Sequence, residues 1–568
     1  MLKLISTAKL FSKGFTLWRK YPKTDPLLKV LHRRAIFAIV CICLVFIGIL
    51  WRLVSVMVVP LYQRVIPIYH REKIVKKADI VDRNGELLAT SITTSSCFAD
   101  PSAIIDADDT IKKLTKIHGM PSAEKIRYKL KDRNKHFVWL MRHVHPTIEK
   151  QIMDMGIPGI HFQKDYKRIY IHGNLFSHII GCTDIDCNGI CGIEKHFNKE
   201  LYISDFSDDK LTLSLDLRLQ NIVREELKAG IKKFHAKGGN AILMKTNGEI
   251  LAMVSLPDFD PNNLKKMSNE AMFNRNTLGV FEQGSIMKVI NASIALDSGS
   301  STVGSVFDAS APIKVGRFSI TDFKGKGRPL TLAEAVVFSS NIACAKIAQK
   351  FGIKVQQEYF KKLGLLEKLH LEIPEIGTPL LPKNWTDISC MTIAYGYGIA
   401  LSPLQVLTAI TSITNGGIKI NPRLVIDNSL TTKPVCVVTP QTSKLVRELM
   451  RGVVLYGTAR KAGVDSIEVF GKTGTAYKRK GRKGYGNASN RDRLTTFVGG
   501  FPLDNPQYML LVSLDSPQGD LSTYGYATAG WNVAPVAKEI LSRLITWIAD
   551  GSVTQNKELS VTKYLRLS

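Results

Sequence analysis

Ser285 and Lys288 stand three residues apart in GVFEQGSIMKVINASIALDSG, Gly279 to Gly299, where a Gly-Ser pair opens a run of helical periodicity. On a helix that spacing puts both side chains on one face, one turn apart. A serine hydroxyl is a weak nucleophile, and a neutral lysine amine beside it can take its proton. The free lysine pKa of about 10.4 has to fall toward ~7–8 for that work. Burial and a second cation nearby both push it that way. Gly284 leaves a substrate room to approach, and the helix N-terminus offers backbone donors where an oxyanion would develop. The pair alone decides nothing: Ser6/Lys9, Ser122/Lys125 and Ser207/Lys210 share the spacing, and each reads more simply as a charged face.

Two later stretches single out Ser285. FSSNIA holds Ser339-Ser340-Asn341, the only Ser-x-Asn in the chain, at the start of the apolar helix IACAKIAQKFG. Read by itself it is a helix N-cap, a place that suits Ser and Asn. VFGKTGTAY holds Lys472-Thr473-Gly474-Thr475, the only Lys-Thr-Gly, on a strand-like stretch. Read by itself it is a turn, or a strand whose Gly474 lets something approach closely. Together they place a nucleophile, a base, further polar groups and a second lysine within one domain.

That domain runs from about 206 to 552. GGNAILMKTNGEILAMVSLPDFDP reads as a hairpin turning at Asn247-Gly248. RLTTFVGGFPLDNPQYMLLVSLD reads as a second, turning near Asp504 to Pro506, and PVAKEILSRLITWIA as a terminal amphipathic helix. Antiparallel strands near both ends, with helices over 285–415 between them, predict an α+β domain whose sheet joins its first and last elements. The preceding 60–205 is mixed: strand-like ADIVDRNGELLATSI with an Asn84-Gly85 turn, helical DADDTIKKLTKI, then HFVWLMRHV. It offers no nucleophile constellation and reads as a pedestal or interaction module. Residues 553–568 read as a polar tail.

The 568 residues carry a formal charge of +28, which suits an anionic surface or polymer. The charge is spread out, apart from a basic N-terminus and Lys478 to Arg493, and no nucleic-acid-binding module is present. AIFAIVCICLVFIGILW, residues 35–51, holds no charge, and the apolar pattern resumes after Arg52. A single tilted membrane span over about 35–59 accounts for it. No short apolar region with a small-residue cleavage site marks a removable signal. The flank carries nine Lys or Arg, from Lys3 to Arg34, against Asp25. The positive-inside rule then puts residues 1–34 in the cytoplasm and everything beyond the span outside. Cys182, Cys187 and Cys191 cluster in GCTDIDCNGICG. A disulfide among them is open in an oxidising compartment, and partly buried free thiols are the simpler reading. His143 and His145 alternate as if on one strand face, which suggests a metal site only weakly. No metal site is expected.

The trio Ser-x-x-Lys, Ser-x-Asn, Lys-Thr-Gly, in that order, resembles the signature of penicillin-binding proteins and serine β-lactamases. More of the chain resembles class B penicillin-binding proteins: GEILAMVSLPDFDPNN before the nucleophile, AYGYGIALSPLQVLTAITSITNGG and GTARKAGV before Lys-Thr-Gly, and DRNGELLA and GICGIEKHFNKEL in the pedestal. Coverage is essentially everything after the N-terminal tail. Gln283 stands where many members have proline, Lys77-Ala78 replaces a frequent Arg-Gly, and RIYI (Arg168 to Ile171) lacks a frequent proline. The resemblance implies a membrane-anchored, dimerisation-like pedestal followed by a serine β-lactamase-like transpeptidase domain, its antiparallel sheet carrying helices on both faces.

By the same resemblance, Ser285 attacks the carbonyl between the two D-alanines of a peptidoglycan stem peptide, with Lys288 as base. Ser339 and Asn341 order Lys288, relay a proton and hold the substrate amide. Lys472 is a fixed cation that depresses the Lys288 pKa. Thr473, Gly474 and Thr475 form the substrate-binding strand, where Thr473 and Thr475 meet the terminal carboxylate. The Ser285 and Thr475 N–H groups make the oxyanion hole. No cofactor is implied, and β-lactams are covalent inhibitors. A β-lactamase would need a placed base for water, and nothing marks Glu375 as one. A membrane-bound β-lactam sensor would want a larger signalling apparatus. A bifunctional synthase would need a glycosyltransferase domain that about 145 preceding residues are too few to hold. GVFEQGS and the short connections look like the division type more than the side-wall elongation type. That type implies a bacterial inner-membrane protein with a periplasmic catalytic domain, working beside a polytopic lipid-linked-precursor polymerase and other division proteins.

Overall fold

The computed structural model describes residues 26–65, 76–203, 210–316, 318–426, 434–478, 492–548 and 559–566. The chain divides into two units, Met1–Ile74 and Val75–Ser568. In the first, helix α1 (Pro26–Val65) contains the apolar stretch Arg33–Ser55. Its 23 residues rise about 34 Å, enough to cross a ~30 Å hydrocarbon core. Ser6, Lys9 and Ser207, and most of the basic run from Lys478 to Arg493, lie outside the described residues.

The second unit begins with the pedestal sheet. Strand β1 (Asp79–Val81) pairs antiparallel with β2 (Leu87–Ala99), which in turn pairs antiparallel with β3 (Val138–Val144) and β4 (Ile160–Tyr170). A small hairpin, β5 (Cys182–Thr183) and β6 (Gly189–Cys191), follows. Strand β7 (Lys210–Thr212) returns parallel to β1. Asn84-Gly85 makes the turn between β1 and β2, with Gly85 at φ 85°. The helix Ala107–Leu114 starts where the Asp106 carboxylate accepts from the Asp108 and Asp109 N–H groups. The paired-histidine reading fails. His143 sits at φ 53°, at a register shift near the end of β3, while His145 caps the helix Pro146–Asp154 through Nδ1. The broken pleat sends the two rings to different jobs, and no cluster of metal-ligating side chains occurs among the described residues.

A buried charge cluster knits the pedestal. Glu194 accepts from Lys77 Nζ at 3.0 Å and from Arg168 Nε at 2.5 Å, all three side chains essentially inaccessible. Lys77 also donates to Asn198 Oδ1 at 2.8 Å, and Arg168 to the Ala78 carbonyl at 2.9 Å. Lys77 therefore does the pairing at the position where the resemblance expects arginine.

The domain that follows is α+β, as its sequence pattern indicates. Strand β8 (Gly238–Lys245) and β9 (Ile250–Leu256) form the first hairpin. Strands β10 (Phe470–Tyr477), β11 (Arg493–Phe501) and β12 (Tyr508–Asp515) complete an antiparallel sheet in the order β10-β11-β12-β8-β9. The sheet thus joins early and late segments, and β10 is an edge strand. Strands β8, β9, β11 and β12 are buried at consecutive residues, so helices cover both faces. Helix α2 (Leu217–Lys233) starts at the Asp216 cap. Helices α3 (Met287–Asp297), α4 (Asn341–Lys362), α5 (Pro403–Thr414) and α6 (Pro440–Tyr456) lie between the hairpins, and α7 (Val533–Ile548) packs against α2.

The last described residues are no free polar tail. Leu559, Val561 and Leu565 are buried in the domain core, and the Arg566 N–H donates to Glu334 Oε1 at 2.8 Å. Three apolar side chains spaced through a polar stretch suffice to dock it.

Replacing Glu194 by glutamine should leave two buried cations without a counter-charge. Breaking such a pair costs about 3–5 kcal/mol, so thermal unfolding of the Glu194→Gln protein should begin well below that of the parent.

Candidate active site

Two glycines let the nucleophile turn and the edge strand touch. Gly284 has φ 54°, and a Cβ there would lie 2.5 Å from the Thr475 carbonyl oxygen. A Cβ on Gly474 would lie 2.6 Å from the Gln283 carbonyl oxygen. Side chains would wedge the two segments apart. Gln283, in the position where proline is frequent, is buried and pins its loop by hydrogen bonds: Nε2 donates to the Leu401 carbonyl at 3.0 Å and the Phe281 carbonyl at 3.3 Å.

Ser285 sits half-buried in the tight turn Gly284–Ile286 that runs into α3. Lys288 lies in the first turn of α3 and is 1 % exposed. Its Nζ donates to the Ser339 carbonyl at 2.5 Å and to Ser339 Oγ at 3.1 Å. Lys472 Nζ reaches the same hydroxyl at 3.0 Å and donates to the Thr473 carbonyl at 3.1 Å. Two buried lysine amino groups therefore converge on one serine oxygen. Among the described residues, Lys288 makes no hydrogen bond to Ser285; such bonds commonly tighten only once substrate is bound.

Ser339 holds this junction in the left-handed region, at φ 62°. Such backbone costs roughly 1–3 kcal/mol and persists where surroundings over-determine it. Here they do. Ser340 caps α4, its Oγ accepting from the Ala343 N–H, so the N-cap reading of this motif holds. Asp322 fixes the rest: Oδ2 accepts from Ser340 Oγ at 2.7 Å, and Oδ1 from the N–H groups of Asn341 at 2.5 Å and Ile342 at 3.1 Å. Asn341 Nδ2 donates to the Thr321 carbonyl at 2.8 Å. Nothing in the sequence marks Asp322, because it is far from the motif it anchors.

A cleft of about 620 Å³ opens over these groups, lined by Ser285, Ser339, Asn341, Thr473 and Thr475. Lys288, Lys472 and Gly474 lie behind its wall. Thr473 Oγ1 is 2.5 Å from Thr458 Oγ1, and Thr475 Oγ1 accepts from the Ala529 N–H at 3.1 Å. Tyr395, Tyr397, Tyr526 and Trp531 add an aromatic rim that the motifs did not indicate. Tyr395, Tyr397 and Thr458 do fall within stretches quoted above for their resemblance. The decoy pair Ser122 and Lys125 is exposed at a helix start in the pedestal.

Burial lowers the Lys288 amine to about 8, while the facing Cys344 and Asp322 oppose that fall. Lys472 is lowered well below the ordinary lysine value, first by burial and then by the Lys288 charge. Like charges repel mutually, so each amine favours the neutral form of the other, and Asp322 favours the charge on Lys288.

A model of the penicillin-binding protein transpeptidase domain matches residues 239–542, and one of the penicillin-binding protein dimerisation domain matches 74–202. The chain is 30% identical over 487 residues to the probable peptidoglycan D,D-transpeptidase FtsI of Caulobacter vibrioides, covering 83% of this chain and 81% of that one. It is a class B penicillin-binding protein of the division type. Over 509 residues it is also 30% identical to peptidoglycan D,D-transpeptidase FtsI of Escherichia coli K12, covering 82% of each. Among solved structures, the apo transpeptidase domain of Burkholderia pseudomallei penicillin-binding protein 3 matches with TM-score 0.52 and 31% identity, over 60% of this chain and 97% of that one. A peptidoglycan synthetase from Bifidobacterium adolescentis shares the fold at TM-score 0.67 and 21% identity, over 85% of this chain and 97% of that one.

As a member of this family the protein is a serine D,D-transpeptidase. Glu375 takes no part in the cleft: its carboxylate accepts from the Gly192 N–H of the pedestal at 3.2 Å. That position is structural and gives no base for a water molecule.

A lysine near 8 gives a pH signature. Below that value the Lys288 amine is mostly protonated and cannot accept a proton; above it the neutral fraction approaches one. The rate of acylation by a β-lactam should therefore rise with pH through about 8 and then level, measured by stopped-time labelling under first-order conditions. A flat profile from pH 6 to 9 would remove Lys288 from the role of base.

Proposed function

We propose that this penicillin-binding protein crosslinks peptidoglycan stem peptides at the division septum, through an acyl-enzyme on Ser285. The observation that carries the reading is the convergence of Lys288 and Lys472 on Ser339 Oγ, beside the turn that presents Ser285 to the edge strand β10. A stem peptide ending in two D-alanines lies along β10, with its terminal carboxylate at Thr473 and Thr475. An anion arriving there favours positive charge on Lys472.

The neutral Lys288 amine takes the Ser285 proton as Oγ attacks the carbonyl between the two D-alanines. The Ser285 and Thr475 N–H groups receive the oxyanion. The C–N bond breaks, the leaving D-alanine amine takes a proton through Ser339, and the ester remains on Ser285. Asn341 holds the amide of the bound strand. The amine of a second stem peptide then attacks the ester and regenerates the serine. Water in its place would make the same site a carboxypeptidase.

The cleft's charge fits an acidic peptide. Lys324, Arg460, Lys461 and Arg493 line it, and its carboxylate Asp322 is already engaged by Ser340 and Asn341. Lys461 Nζ sits 3.7 Å over the Trp531 ring and Lys324 Nζ 4.7 Å over Tyr526. Those aromatic seats hold the cations at the rim, where carboxylates along the stem would meet them.

The apolar stretch in α1 and its basic flank support a single-pass inner-membrane protein with its N-terminus in the cytoplasm and its catalytic domain in the periplasm. A polytopic precursor polymerase is the natural partner for the span and the pedestal.

A fluorescent penicillin should label the chain covalently, with the added mass on the peptide holding GSIMK. Ser285→Ala should abolish labelling, and Lys288→Ala should slow it by about 10²–10⁴-fold, the usual contribution of a general base. Full labelling of Ser285→Ala would overturn the assignment, and rapid drug turnover would point to a β-lactamase.

Protease added to spheroplasts should remove everything beyond the span, and depletion should block constriction and give filaments. Protection of the large domain would refute the orientation. Round cells with normal septa would refute the septal role.

A further inference from the structure

Cys182 and Cys191 face each other as paired residues of β5 and β6, with Sγ atoms 3.3 Å apart. Directly paired residues of an antiparallel ladder have Cα atoms about 4.5–5.5 Å apart, inside the window of about 4.4–6.8 Å that a disulfide spans. The sulfurs need approach by only about 1.2 Å to reach bonding distance. Cys187, at the hairpin's turn, has a different partner: its Sγ donates to the Tyr166 carbonyl at 3.3 Å. The sequence left the pairing among these three thiols open, and the fold separates them.

We infer that Cys182 and Cys191 are joined by a disulfide in the working protein, with Cys187 left as a thiol. The inference rests on the periplasmic orientation of the pedestal proposed above, since a reducing cytoplasm would keep the thiols apart. Cys182 is fully buried and Cys191 partly exposed, so exchange starts at Cys191. Its thiolate attacks the disulfide of an extracytoplasmic thiol oxidase, forming a mixed disulfide and releasing one oxidase thiolate. Cys182 then attacks Cys191 Sγ and expels the second. Two S–H bonds of the chain are lost, one S–S bond forms, and the two electrons and two protons end on the oxidase as a dithiol.

The bond fastens a joint. The two cysteines pack with Phe259, Leu264, Met267 and Ala271 of the transpeptidase domain. The Gly192 N–H, next along the chain, donates to the Glu375 carboxylate, and the Glu375 carbonyl accepts from Thr277 Oγ1 at 2.6 Å. His178, just before the hairpin, bonds the Ala271 carbonyl at 2.7 Å. A cross-linked hairpin holds these pedestal groups against the segment that leads to Ser285.

The test traps thiols with N-ethylmaleimide in intact cells making the full chain, then digests it without reductant. Trypsin leaves all three cysteines in one peptide, Ile169 to Lys195, and cleavage before Asp184 and Asp186 separates Cys182 from the other two. The expected result is one maleimide, on Cys187, with the Cys182 fragment joined to Cys191. Reductant should lower the melting temperature of the parent and leave that of a Cys182→Ser/Cys191→Ser double variant unchanged. The double variant should still acylate with penicillin at the parent's rate.

Three maleimides in cells whose protease test places the domain outside would overturn the inference. So would a bond from Cys187 to either neighbour, or melting that ignores reductant. If the protease test instead places the domain inside, purified folded protein given oxidised glutathione decides. A Cys182–Cys191 bond there upholds the pairing and refutes the orientation, and its absence overturns the pairing.

Discussion

Two lysines buried around one serine hydroxyl are the constraint on which the site depends. Among the described residues, neither Lys288 nor Lys472 has a carboxylate in hydrogen-bond contact, and both are essentially inaccessible. Burying a charged amine is costly unless it is paired, so the pair sheds charge. A proton that is cheap to lose is what a general base requires. The same burial makes the geometry demanding: Ser339 must accept from both amines at once, and it does so only from the left-handed backbone that Asp322 and the α4 cap impose. Asp322 thus acts at a distance from the chemistry, by holding a strained residue that holds the lysines.

The scaffold exists to make that burial affordable. The edge strand β10 supplies Lys472 from one side and α3 supplies Lys288 from the other. Their approach is set by glycine against carbonyl at two points, Gly284 on Thr475 and Gly474 on Gln283. Ser285 is left half-exposed at the seam while the lysines stay behind the wall. Solvent reaches Ser285 and not Lys288. Docking of residues 559–566 onto α6 and the Arg328–Glu334 segment extends the same logic, since Leu559, Val561 and Leu565 close core that would otherwise be wet.

What was legible in the sequence was whatever is encoded locally. Both hairpins, the α+β pattern, the apolar span and the three motifs were readable because each is set by periodicity, turn residues or fixed short spacing. The placement of Ser285 and Lys288 was readable for the same reason, since one helical turn relates them. Asp322 was not, because only the tertiary fold brings it to Ser340. The shared strand face suggested for His143 and His145 was not there, because a register shift in β3 is invisible to a period-two pattern. The tail misled because three apolar residues in a polar stretch carry little weight until a groove is there to receive them.

Two of the departures from the family pattern, Lys77 and Gln283, share one explanation. Lys77 reaches Glu194 and Asn198 from a position where arginine is frequent, and Arg168 covers the other carboxylate oxygen. Gln283 bonds two carbonyls where a proline ring would have fixed the loop by its own stiffness. In each case the position is held by hydrogen bonds made by the residue that is present, Lys77 to Glu194 and Asn198, and Gln283 to two carbonyls. Neither substitution touches the cleft. What has to be preserved is the distance between Ser285 and β10 and the burial of the lysines behind them. Any side chain that maintains those two quantities is compatible with the reaction.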